Sequence, residues 1–87
     1  MKSTQLYVVI QFENGWDYAP GEKTTFFTEK KQAMTLFKEY LKWIKEEGVC
    51  NQTQVLLAKV EIGKTFNFYG YGDFEGGEII KFAEFEE

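Results

Sequence analysis

The sequence predicts an α+β fold, with a single helix packed on an antiparallel sheet of about four strands in the order ββαββ. Three observations predict it. The stretch from Glu29 to Glu47, EKKQAMTLFKEYLKWIKEE, has the period of a long amphipathic helix, and no other segment does. Strand-like runs lie on both sides of it, Leu6–Phe12 and Lys23–Phe27 before, Val55–Ile62 and Glu78–Phe85 after. A lone helix also offers a lone crossover, too few to connect a parallel sheet.

Leu6 to Phe12 alternates as a strand. Leu6, Val8, Ile10 and Phe12 point one way, and Tyr7, Val9 and Gln11 the other. The second set is only partly polar, which predicts a central strand or one with a covered back. Asn14-Gly15 is a strong hairpin signal because both residues tolerate positive φ. Trp16-Asp17-Tyr18 could pair back before Pro20-Gly21 breaks the run. The residues leave open a tight hairpin at Asn14-Gly15 or a wide one across 14–22. Lys23 to Phe27 then leads into the helix.

With Ala33 set at 0° on the helix wheel, Phe37, Tyr40 and Ile44 fall within about 40° of it, and Leu36 and Leu41 form the shoulders. Thr28 is the expected N-cap and Gly48 the expected C′ residue, with Glu29 favourable at the positive end of the dipole and Lys42 and Lys45 favourable near the other. After a polar connector at 50–53, Val55 to Ile62 reads as a strand with Leu56, Ala58, Val60 and Ile62 on one face. Gly63-Lys64 is a turn. Phe66 to Gly77 then carries five aromatics and four glycines, a density that argues against a regular strand beyond Tyr69. Glu78 to Phe85 closes the fold.

A length of 87 residues predicts one domain, 1–87. Aromatics make up 18% of the chain, which is first a means of building a core from few residues. The formal charge is −4, and the chain has neither arginine nor histidine. Bidentate grips on phosphate use arginine, and neutral-pH proton transfer and metal binding use histidine. Cys50 has no partner for a disulfide or a thiolate metal cluster. A lone thiol suits a reducing compartment, and the opening residues lack the continuous apolar region of a secretion signal, so the expected location is cytoplasmic. No run is long enough to suggest a membrane span.

Catalysis finds no foothold in these residues. No carboxylate pair has a recognisable acid–base spacing, and no histidine exists to activate Cys50 or a hydroxyl. Asp73-Phe74-Glu75 between glycines could offer oxygens to calcium, but aromatics stand where an ion-binding loop needs polar groups. The expectation is no enzyme, no cofactor and no metal. The rings of 66–71 loosely resemble the base-stacking platforms of single-strand binders. Only Lys64 is near them, however, and from Asp73 onward six acids face one lysine. That balance argues against nucleic acid, which stays as an alternative. The plain structural reading is that these rings pack over a sheet edge.

Charge divides along the chain. Lys23 to Lys45 holds six lysines against Glu29 and Glu39. Lys31, Lys38, Lys42 and Lys45 gather opposite the apolar stripe, as a solvated face or as a ridge for an acidic partner. Trp43 lies outside the stripe and either seals the helix rim or anchors an interface. These features predict a binding module without chemistry of its own. Its partner-facing residues are Phe68, Tyr69, Tyr71, Asp73, Phe74, Glu75 and Trp43, and its partner is a protein. A homo-oligomer, through lysine ridge and acidic strand or through edge strands, is the structural alternative.

In overall character (very small, acidic, aromatic-rich, lysine as its sole strong base) the chain resembles accessory proteins of bacteriophages from low-GC hosts. The resemblance is one of style over the whole chain, and no functional residue is carried over by it. It implies an inhibitor of a host enzyme or defence complex, acting in the host cytoplasm.

Overall fold

Two stretches of the chain place consecutive apolar residues where a half-exposed strand would alternate. Val8-Val9-Ile10 and Val55-Leu56-Leu57-Ala58 are all at 0% exposure. A strand sends successive side chains to opposite faces, so both stretches must be covered on both sides. The computed structural model describes residues 5–14, 21–47, 52–68 and 73–85 and shows what covers them.

Its elements in chain order are β1 (Gln5–Asn14), β2 (Gly21–Phe27), α1 (Lys30–Glu47), β3 (Gln52–Glu61), β4 (Asn67–Phe68), β5 (Phe74–Glu75) and β6 (Gly77–Phe85). The four long strands form one sheet in the order β2-β1-β3-β6, with every neighbouring pair antiparallel. This is the α+β architecture expected from the sequence. β2 and β3 run parallel on either side of β1, and α1 is the crossover that links them. β4 and β5 form a separate two-stranded ribbon inserted before the last long strand.

The helix packs on one face. Ala33, Phe37 and Ile44 bury against Val9, Val55 and Leu57, with Tyr40, Leu36 and Leu41 partly buried around them. Met34 joins this set from the edge of the stripe. Val8, Ile10, Leu56, Ala58 and Val60 fill the other face beneath Leu6, Phe66, Phe68 and Phe74. The molecule therefore has three layers, and the glycine-rich aromatic stretch supplies the third.

Several local expectations shift. The register pairs Glu13 with Gly21, so the hairpin is the wide one. The return of Trp16-Asp17-Tyr18 lies outside the described residues, as do Gly48 and Cys50. Ala33 donates its amide to the Glu29 carbonyl at 3.3 Å, which puts Glu29, not Thr28, at the cap position. β3 starts at Gln52, and Thr53 is buried in it rather than part of a polar connector, as is Gln54 after it. Ile62 leaves the strand and is 59% exposed. Strand pairing resumes at Phe74-Glu75, beyond where the glycines seemed to forbid it.

The aromatics do not form the centre of the core. Among the described residues, Phe37 is the one buried ring, and the remaining buried apolar side chains are aliphatic. Tyr7, Phe27, Tyr40 and Phe85 surround the helix-side cluster, and Phe66, Phe68 and Phe74 cap the opposite one. β-Branched and leucine side chains fill the narrow spaces inside a pleated sheet, while the larger rings seal its margins.

Candidate interaction surface

The turn before β6 is what lays the ribbon on the sheet. Gly76 adopts φ +96°, and a Cβ there would overlap the Thr65 carbonyl oxygen and sit 2.7 Å from the Phe66 Cα. Only glycine meets both conditions, positive φ and close backbone approach. The chain thus doubles back tightly enough for Asn67 to pair with Glu75 and Phe68 with Phe74.

Two rows of rings follow. Phe66 stands between Phe26 and Phe74, with centroids 5.9 Å from each. Phe68 stands between Phe12, at 5.8 Å, and Phe82, at 6.4 Å. Three of these four contacts are edge-to-face, the arrangement favoured by the ring quadrupole. The rows stitch the ribbon to β1 and to both edge strands.

Of the residues expected at a partner surface, Phe68 and Phe74 are half-buried against the sheet, and Asp73 and Glu75 are exposed beside them. Tyr69 and Tyr71 lie outside the described residues. Trp43 is 49% exposed on α1. The sheet separates α1 from the ribbon, so Trp43 does not share a surface with the other four.

No protein-family model, curated protein or solved structure matches this chain.

The ribbon side also carries apolar residues that the sequence reading did not select. Phe26, Ile79 and Phe82 are 51%, 40% and 37% exposed. Register places all three on the ribbon face, opposite Val8, Ala58 and Leu56. A signal for two of them was present. Glu78, Lys81 and Glu84 recur every third residue through the last strand, a charge density that marks an edge and leaves the intervening apolar residues half uncovered.

Charge is divided between the layers as it is along the chain. Lys31, Lys38, Lys42 and Lys45 are exposed on α1, where a shallow groove of about 430 Å³ runs between the last three and Leu41. The strand lysines Lys23, Lys59 and Lys81 occupy register positions on the α1 side too. Asp73 and Glu75 lie on the ribbon, and Glu84 takes a ribbon-face position opposite Gln54.

An open groove of about 390 Å³ lies between the end of β3 and the Gly76 turn. Its lysines are engaged with its own acids, Lys59 with Glu78 at 3.5 Å and Lys64 with Glu61 at 3.1 Å. Among the described residues no three His, Cys, Asp or Glu side chains converge as metal ligands, and no helix is long and apolar enough to cross a membrane.

Proposed function

We propose that this chain is a small protein-binding module that engages its partner through the ribbon side of the sheet. The observation that carries the reading is the occurrence of Ile79 and Phe82, exposed and apolar, on the same side of the sheet as the acids Asp73, Glu75 and Glu84. Apolar anchors within a charged rim are the composition of a protein interface, and the acidic rim steers a basic partner. Tyr69 and Tyr71 belong to the same stretch of sequence and lie outside the described residues. Phe68 and Phe74 act as its support, because they hold the ribbon that displays the acids.

The packing of Phe66, Phe68 and Phe74 against the sheet favours this reading over base stacking, which needs exposed ring faces. The partner class comes from the resemblance in character to bacteriophage accessory proteins: a host enzyme or a defence complex with a basic, apolar docking face. The module acts by occupancy and carries out no chemistry.

The test is affinity capture from a bacterial lysate with the wild type and with the variant D73K/E75K/F82A. The expected result is a partner held by the wild type at micromolar affinity or better, weakened by salt and lost in the variant. Equal capture by the two proteins, or none by either, overturns the reading.

A further inference from the structure

The sheet has two outer edges, β2 and β6, and they are built differently. β6 is guarded. Its register with β3 shifts between Leu57 and Ala58, so Ile80 is an extra residue and the edge is bulged. Glu78, Lys81 and Glu84 are exposed along it. Bulges and charges are the usual devices that stop one sheet from pairing with another.

β2 has no bulge, and its two charges, Glu22 and Lys23, sit side by side near its start. All seven of its residues pair with β1 without a register shift. After Lys23 the strand reads Thr24-Thr25-Phe26-Phe27, β-branched and aromatic throughout. Thr24 and Phe26 are exposed, and Phe26 is braced from within the molecule by the edge of Phe66. No described element lies along the outer side of the strand. Its outward backbone donors and acceptors form a regular row that no described element covers.

The occupant is identified by what β2 places opposite itself. An antiparallel two-fold centred on Thr24 pairs all seven residues of two β2 strands. It sets Thr24 against Thr24 and Lys23 against Thr25, so no like charges meet among them. Moving the axis to Lys23 brings the two ammonium groups together, and moving it to Thr25 pairs only the five residues from Lys23 to Phe27. The same operation on β6 fails. An axis at its middle residue opposes Lys81 to Lys81 and Glu78 to Glu84.

We infer that two copies of this chain associate through β2, antiparallel about a two-fold axis at Thr24. The result is one continuous sheet across the dimer, closed by the isologous contact. Both ribbon faces then lie on the same side of that sheet, and both helices on the other. The guarded β6 edges become the ends of the assembly, where they block further growth.

Light scattering on the full chain, from micromolar to millimolar concentration, reads the assembly directly. The expected mass rises from one chain to two and no further. Thr24→Lys should hold the mass at one chain throughout, with an unchanged circular dichroism spectrum, because lysine is tolerated on a free edge but not against its own copy. In a Cys50→Ser background, Thr24→Cys should form an intermolecular disulfide, since opposed residues bring their Cα atoms to about 4.5–5.5 Å. Thr25→Cys in that background should not. A wild type that stays one chain at every concentration overturns the inference, as does a dimer that survives Thr24→Lys. A crosslink at residue 25 instead of 24 overturns the register.

Discussion

Gln54 donates a hydrogen bond from its side-chain Nε2 to the Glu84 carboxylate at 2.9 Å, which joins the buried middle of the sheet to its edge. Gln54 is at 0% exposure, and its amide is desolvated whether or not this bond is made. A buried donor that loses its acceptor costs about 1–3 kcal/mol. Glu84→Ala should therefore destabilise the fold by that amount, and Glu84→Gln, which keeps an acceptor oxygen, by less. Urea unfolding of the two variants measures the difference, and equal losses would show that the bond contributes little.

Phe37 and Lys38 are neighbours in sequence about 100° apart around α1. Phe37 is 4% exposed within the helix-side cluster, and Lys38 is exposed. Phe37→Ala should cost about 3–5 kcal/mol through lost contacts and the cavity left behind. Lys38→Ala should change stability by no more than about 0.5 kcal/mol. Thermal and denaturant melts of the pair check the orientation of the helix.

Gly63 and Gly76 both have positive φ, +87° and +96°, but they differ in their surroundings. A methyl group at Gly63 meets open space, whereas at Gly76 it meets the Thr65 backbone. Gly63→Ala should carry only the left-handed penalty of about 1–2 kcal/mol. Gly76→Ala should exceed it and also shift the amide resonances of residues 65–68, because the ribbon must move. Losses of the same size in both variants would mean that the close approach is relieved without cost.

Phe68 is half-buried, touches the rings of Phe12 and Phe82, and covers the second face of the central strands. Truncation to alanine should cost about 1–3 kcal/mol. It should also uncover Ile10 and Leu56, so that a dye specific for exposed apolar surface binds the folded variant. Dye binding no stronger than that of the wild type would assign the cover to other residues.

The helix and its buried stripe were legible in the sequence because a 3.6-residue period over 18 residues has no competing explanation. The long strands were legible for a similar reason. What periodicity does not carry is the partner of each face. Leu6, Val8, Ile10 and Phe12 form the more apolar side of β1, yet the helix packs on the Tyr7 and Val9 side, and the ribbon takes the other. The glycines of 70–77 read as interruptions, although Gly76 is what folds the ribbon back. Buried Gln54 bonds Glu84, thirty residues away, a pairing that no local window reveals. For the same reason, the expected surface residues Phe68 and Phe74 proved to be half-buried, while Phe82 and Ile79 stand exposed.

The position of β1 between β2 and β3 has a kinetic consequence. Its pairing with β2 is local, but Gln5 must find Glu61, and Asn14 must find Gln52, across the whole length of α1. These pairings can close only after the crossover has brought β3 back alongside β1. Such non-local pairing slows folding relative to a helical domain of similar size. A substitution that weakens α1 should therefore slow folding, because the crossover it forms has to bring β3 to β1.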